Sequence, residues 1–363
     1  MAPRLLIAPD KFKGSLGAWD VARALEAGFR SVWPEAACRL LPIADGGEGT
    51  AEVFGRAMQG FLEEIETVDA LGRPCVALVA RCGSLAVVDM AAAAGLAQIE
   101  PERRDPWTAS TYGVGIVLRE LAARGAARIF VGLGGSATND AGLGMAAALG
   151  WRFLDGEGRE VEPVPRAFDR IATIVPSPFP AAVTGLCDVT NPLLGPDGAS
   201  HVYGPQKGLK DPEAMDGTLT RLAGKVAAVL GRDERDRPRA GAAGGLGYGL
   251  ASFCNATLAD GFQTVAETLG LEDAIREADW VVTGEGALDR QTVLFGKGPA
   301  GVARMARRHG KTVHAFCGVS TAEAGDLFDA IHPLVDGTVT PQESLARPAY
   351  YLERKAASVA RAG

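Results

Sequence analysis

Glycine placement constrains this chain more than any other feature of its sequence. The 47 glycines of 363 residues gather in six polar stretches: 45–49, 132–144, 204–208, 241–249, 284–286 and 296–301. Most follow a short apolar run or precede a segment of helical spacing. Leu5 to Ala8 reads as a buried strand, and a loop with Lys11, Lys13 and Gly14 follows. Val21, Leu25, Phe29 and Val32 then recur at helical spacing, with Gly17 as N-cap, Asp20 in the first turn and Pro34 as the stop. Residues 37–43 give a second strand, leading directly into Asp45-Gly46-Gly47-Glu48-Gly49-Thr50. Strand, glycine loop, helix is the unit of an open α/β sheet.

The pattern changes near residue 60. Residues 61–90 alternate in short segments with turn residues between them, which predicts antiparallel pieces. Beyond them the sequence predicts helices over 114–124 and 141–149 and strands over 128–133 and 182–188. Residues 231–239 are charged, contain Pro238 and read as an exposed loop. The opening style returns in a strand over 279–283, a helix over 299–308 and a strand over 312–317. The expected fold is therefore α/β and two-domain. A Rossmann- or flavodoxin-like parallel-sheet domain is built from both termini (1–59 and 278–363), with a mixed α/β domain inserted at 60–277. The active site is expected in the cleft between them.

Composition removes several classes of function. The hydrophobic fraction of 47% and the charged fraction of 22% are those of a globular protein. The net charge of -7 argues against a nucleic-acid surface. No run is long and apolar enough for a membrane helix, and the N-terminus lacks the pattern of a signal peptide. Cys38, Cys75, Cys82, Cys187, Cys254 and Cys317 form no CxxC pair and read as structural thiols in a reducing cytoplasm. The four histidines, His201, His309, His314 and His332, are scattered, and no Ser sits in GxSxG.

What remains points to phosphate. Glycine lets backbone N–H groups approach phosphate oxygens, and helix N-termini add a favourable dipole. One such cluster alone would be only a tight turn; six together favour a phosphate or nucleotide site. Yet Gly132-Leu133-Gly134-Gly135-Ser136-Ala137 lacks the third glycine of GxGxxG, and Gly310-Lys311-Thr312 lacks the rest of a P-loop. Of the eight lysines, Lys11, Lys13, Lys207, Lys210 and Lys297 sit in or beside glycine stretches, where Lys serves as a compact positive charge. Asp10, Asp45, Asp188 and Glu285 each follow a predicted strand, and Glu48 and Asp289 lie in the loops beyond. Carboxylates at strand C-termini converge on the ligand crevice of an open α/β sheet. Ser136, Thr138, Asn139, Asp140 and Asn191 crowd turns, where they bind either a ligand or their own backbone.

Taken in order, these segments resemble the bacterial class I glycerate kinases. The resemblance is carried by Ala8-Pro9-Asp10-Lys11-Phe12-Lys13-Gly14-Ser15-Leu16, Ala44–Thr50, Gly134–Asp140, Cys187-Asp188-Val189-Thr190-Asn191-Pro192-Leu193, Gly204-Pro205-Gln206-Lys207-Gly208, Gly241–Gly247, and Thr283-Gly284-Glu285-Gly286 with Asp289, Gln291 and Thr292. It implies a kinase using ATP and Mg²⁺ on D-glycerate, with 2-phosphoglycerate as the favoured product. Lys11 stands where the family usually has Ser, and Gly17 where Ser is frequent. The rivals are a kinase of another small hydroxy acid and a non-catalytic metabolite-binding regulator.

The residues divide as follows on this reading. Asp188, then Asp45, orients or deprotonates the attacking hydroxyl, with Lys13 beside them in the catalytic set. Asp10, Gly46, Gly47, Glu48, Ser136, Thr138, Asn139, Asn191, Lys207, Glu285 and Asp289 bind substrate. Gly244, Gly245, Gly284, Gln291 and Lys297 bind nucleotide or phosphate. Asp188 and Asp289 are the Mg²⁺ ligands. The expected partners are small molecules alone, without nucleic acid or membrane, and monomer and homodimer both stay open.

Overall fold

A computed structural model describes residues 3–289, 298–321 and 327–362. The chain separates into two compact units, Met1–Asp45 with Phe262–Gly363, and Gly46–Gly261. The sequence set these boundaries at 59 and 277. The helix Thr50–Ala57 packs on the strands Pro74–Cys82 and Leu85–Asp89, so it joins the inserted unit. The helix Leu271–Glu277 packs on the helix Pro299–Arg308 and the strand Arg4–Ile7, so it joins the first.

The first unit is built on a five-stranded parallel sheet. Its order across the sheet is Ala330–Pro333, Thr312–Ser320, Trp280–Leu288, Arg4–Ile7, Ala37–Leu40. Numbered within the unit this is 2-1-3-4-5, the flavodoxin-like one of the two alternatives expected. The order reverses between Arg4–Ile7 and Trp280–Leu288, so the crevice at their C-terminal ends is the ligand position of such a sheet. Leu5, Ile7, Val282 and Phe316 supply one core with Val21, Leu25 and Phe29 of the helix Ala18–Arg30. Burying side chains of this size contributes roughly 2–3 kcal/mol each. The C-terminal helix Pro348–Ala362 closes that core through Leu352, Ala356 and Ala360.

The inserted unit carries a six-stranded mixed sheet, ordered Thr257–Ala259, Ala182–Leu186, Arg128–Gly132, Leu85–Asp89, Pro74–Cys82, Phe61–Val68. Residues 61–89 form the antiparallel meander that alternation predicted, and the other pairings are parallel. The predicted helices appear at Tyr112–Ala123 and Leu143–Ala148. All six cysteines are free. Among the described residues no helix is long and apolar enough to cross a membrane.

Candidate functional site

In the first unit the site is built where the sheet order reverses. Asp10 follows the strand Arg4–Ile7, and its N–H donates to the Gly284 carbonyl at 2.8 Å. Thr283 Oγ1 donates to the Ala8 carbonyl at 2.8 Å, and the Ile43 N–H to the Pro9 carbonyl at 2.9 Å. The backbone at Asp10 is thus held by the strand on one side and by the chain leading to Asp45 on the other. Its carboxylate is 9% exposed and accepts the Lys11 N–H at 2.6 Å. A Cβ placed on Gly298, the N-cap of the helix Pro299–Arg308, would lie 3.3 Å from Asp10 Oδ2. The carboxylate therefore stands at a helix N-terminus. Burial pushes its pKa up to about 6, with Lys11 opposing and Asp45 adding to the rise. Lys11 Nζ lies 3.8 Å from Asp45 Oδ1, so the residue that departs from the family pattern is an ion-pair partner of a predicted catalytic carboxylate.

The other predicted residues of this unit fall near the same strand end. Gly284 and Glu285 lie within the strand Trp280–Leu288, Glu285 half-buried, and Asp289 follows it, also half-buried. Lys13 is exposed, and its backbone approaches Gly286. Gln291 and Lys297 lie outside the described residues.

In the inserted unit the Gly46–Gly49 loop crosses the C-terminal ends of the parallel strands. A Cβ on Gly46 would meet the Leu186 carbonyl oxygen at 2.4 Å, and the backbone there has φ +84°, so glycine is required twice over. The Gly46 carbonyl accepts the Gly134 N–H at 3.1 Å. Thr50 Oγ1 donates to the Gly47 carbonyl at 2.6 Å. The loop enters the helix Thr50–Ala57, whose first amides are taken: Gly49 N–H and Ala51 N–H donate to Asp89 at 2.7 and 3.2 Å. Glu48 is exposed at the crest. A phosphate at this helix N-terminus would face a carboxylate already in place, so the helix serves architecture rather than phosphate binding.

The turn after Arg128–Gly132 is polar and buried. Asp140 accepts from Thr111 N–H, Thr111 Oγ1, Gly142 N–H and Gly144 N–H at 2.7, 2.8, 3.1 and 3.2 Å. Burial pushes its pKa up against these four donors. Lys207 is 1% exposed and donates to the Thr138 carbonyl at 2.7 Å. Burial pushes its pKa down to about 7, with the Asp140 charge opposing. Asn139 Nδ2 donates to Ser200 Oγ at 3.0 Å. Asn139 Oδ1 and Thr138 Oγ1 are buried with no hydrogen-bond partner among the described residues. Ser136 is buried in the same turn.

Two groups of predicted residues have a local reason for their identity. The run Ala243-Gly244-Gly245 is left-handed, with φ of 56°, 65° and 86°. A Cβ on Gly244 would fall 1.9 Å from the Thr138 carbonyl oxygen. These glycines are buried against the 138–141 backbone, which accounts for them without a nucleotide. Asn191 spends its side chain on its own loop: Nδ2 donates to the Asp197 carbonyl at 2.8 Å, and Oδ1 accepts the Tyr203 hydroxyl at 2.7 Å. Asp188 follows the strand Ala182–Leu186 and is half-buried. Among the described residues no three of His, Cys, Asp and Glu gather as a metal cluster.

Sequence reasoning missed Asp89, Thr111 and Ser200. A signal existed for Asp89, which closes the apolar run Leu85–Val88 much as Asp188 follows its own strand. Thr111 and Ser200 carry no such mark.

Known proteins bear on this arrangement. A sequence model described as Glycerate kinase family matches residues 5–363. The glycerate kinase of Bacillus subtilis (strain 168) is 39% identical, over 98% of this chain and 97% of its own. The glycerate 2-kinase of Escherichia coli (strain K12) is 38% identical, over 96% of this chain and 94% of its own. A crystal structure from Salmonella typhimurium LT2, described as a glycerate kinase 2, superposes with a TM-score of 0.88 at 38% identity, over 100% of this chain and 98% of that one. On full-length sequence and fold together, the chain belongs to the glycerate kinase family.

Proposed function

We propose that the chain transfers the γ-phosphate of ATP to the 2-hydroxyl of D-glycerate, giving 2-phosphoglycerate and ADP. The observation that carries this reading is the full-length family match of a chain whose acidic residues stand at the C-terminal ends of parallel strands. The hydroxyl oxygen bonds to the γ-phosphorus as the bond to the β-γ bridging oxygen breaks. ADP leaves, and the hydroxyl proton passes to a carboxylate. Asp188 is the first choice for that acceptor, just past the strand Ala182–Leu186, and Asp45 the second, in the segment that leads from the strand Ala37–Leu40 into the glycine loop. Asp10, with its carboxyl moved towards neutrality, is the buried acid of the first unit that contacts substrate. Phosphoryl transfer is mostly positioning and charge stabilisation, which suits a site made of lysines and strand-end acids.

Thr138 and Asn139 are assigned to glycerate because each has a buried oxygen with capacity to spare, beside Lys207. Ser136, Gly46, Gly47, Glu48 and Glu285 complete the substrate set. Lys13 and Lys297 balance phosphate charge, and Gln291 and Gly284 belong to the nucleotide. Asp188 and Asp289 offer the hard oxygen donors that Mg²⁺ takes, and one or two carboxylates suffice where phosphate oxygens and water complete its shell. When bound, the ion neutralises charge developing on the phosphates.

The test is ADP release by the purified protein with Mg-ATP and D-glycerate, followed by enolase alone on the product. Immediate phosphoenolpyruvate supports a 2-kinase. A requirement for a mutase corrects the position to the 3-hydroxyl, and absence of glycerate-dependent ADP release refutes the reading. Asp188→Asn should lower kcat by about 100-fold or more with little change in KM. Unchanged kcat removes Asp188 from its role.

A further inference from the structure

The Gly46–Gly49 loop carries two predicted functional acids at its ends, Asp45 before it and Glu48 within it. What fixes the loop comes from elsewhere in the sequence. Asp89 ends the strand Leu85–Asp89 and is 8% exposed. One of its carboxylate oxygens accepts the Gly49 N–H at 2.7 Å, and the other accepts the Ala51 N–H at 3.2 Å. Thr50 Oγ1 turns back on the Gly47 carbonyl at 2.6 Å, and the Gly46 carbonyl takes the Gly134 N–H at 3.1 Å. A Cβ on Gly132 would stand 2.9 Å from Asp89 Oδ1 and 2.8 Å from the Gly46 carbonyl oxygen. Strand end, carboxylate and loop are therefore in close contact, without room for a larger residue at position 132.

The helix Thr50–Ala57 has Gly49 as its N-cap, and glycine offers no capping side chain. The missing cap is supplied from 40 residues away. A local Ser or Asp would cap the helix but would not tie it to the sheet. A capping carboxylate on a strand does both, fixing the height and angle at which the glycine loop leaves the sheet.

We propose that Asp89 is a positioning residue for the kinase reaction, holding the Asp45–Gly49 segment at its working height without touching substrate. The proposal rests on the kinase reading above. Reactions that depend on placement lose about 100-fold in rate from a displacement near 1 Å, so loss of the carboxylate that ties Gly49 and Ala51 to the sheet carries through to turnover.

The experiment uses the full chain as wild type, Asp89→Asn and Asp211→Asn. Asp211 is an ordinary helix cap of the same unit: its side chain accepts the Ala214 N–H at 3.0 Å, and it holds no glycine loop. Each protein is melted and then assayed well below its own midpoint for kcat and for KM of D-glycerate and ATP. Asp89→Asn should lower kcat by about 10- to 100-fold, while Asp211→Asn keeps wild-type kcat and KM. If Asp89→Asn does not fold, Asp89→Glu, which keeps the charge and lengthens the arm by one methylene, is read by the same kcat criterion. A wild-type kcat in the folded Asp89 variant, with only a lowered midpoint like that of Asp211→Asn, overturns the proposal. Glycerate-dependent ADP release by the wild type tests the reaction; the ratio of variant to wild type tests Asp89.

Discussion

The two units hold buried carboxylates in opposite ways. Asp140, in the inserted unit, is met by four donors from Thr111, Gly142 and Gly144. Asp10, in the first unit, follows the parallel strand Arg4–Ile7 and accepts the Lys11 N–H at 2.6 Å beside a helix N-terminus. Both are pushed up by burial. A carboxylate surrounded by fixed backbone amides is committed to architecture, because every donor it holds would be orphaned if it moved. A carboxylate buried at the reversal of a parallel sheet, with its pKa at about 6, costs stability at neutral pH and remains available for proton or ligand chemistry. Donor count separates structural acids from chemical ones more sharply than burial does.

The largest expected effect tests the structural half of that contrast. Asp140→Ala leaves the donors of Thr111, Gly142 and Gly144 buried without an acceptor, and Lys207 without its nearby negative charge. Losses of this kind cost about 3–5 kcal/mol. Urea unfolding at pH 7 measures it, and a loss below about 1 kcal/mol would show that the four bonds are not what holds the turn.

The contrast also shows where sequence reading stops. Strand ends were legible because apolar runs and the acids behind them are local, so Asp10, Asp188 and the strand expected over 128–133, found at Arg128–Gly132, came directly from pattern. The parallel sheet from both termini was legible for the same reason. The helix Pro348–Ala362 was not: it buries Leu352 among alanines, which gives little hydrophobic contrast. Its evidence in the sequence is Gly28, where a Cβ would fall 2.2 Å from the Glu353 carbonyl oxygen, and no local rule links residues 325 apart. Within the site, residue type was legible and partner was not. The bonds that tie Asn191 to its own loop were not legible, and Asp89 went unnoticed because the amides it holds are near residue 50. Gly244 and Gly245 read as a phosphate loop, and that they also pack on the 138–141 backbone is visible only in the folded chain.

The second effect tests the chemical half. Asp10 has a folded pKa above its unfolded value, so the folded state binds more protons between pH 4 and pH 6. Its stabilising contribution is complete below the unfolded pKa and is lost as pH rises through about 6. Asp10→Asn, neutral throughout, should therefore be more stable than wild type at pH 8 by about 3 kcal/mol and converge with it near pH 4. It should also lose most of its glycerate-dependent turnover. Greater stability with full activity would make Asp10 a burial defect rather than a site residue. Lower stability at pH 8 would show that its hydrogen bonds and Lys11 outweigh desolvation.

Lys207 gives the smallest and most diagnostic effect, because it mixes the two categories. It is as buried as Asp140 and donates to the Thr138 carbonyl, which makes it structural. Its pKa of about 7 gives it two charge states at neutrality, as a chemical group would have. Here the sign is opposite to that of Asp10. The folded pKa lies below the unfolded one, so the unfolded chain binds more protons above pH 7, and stability rises with pH through that range. Lys207→Met keeps the length and apolar stem and removes the titration. Subtracting its unfolding free energy from that of wild type should give a difference that grows in favour of wild type by about 2 kcal/mol from pH 6.5 to pH 8.5. A flat difference would mean that Asp140 keeps Lys207 charged throughout. In that case the ammonium and the four-donor carboxylate form one permanent structural pair, and Lys207 moves to the architectural side of the comparison.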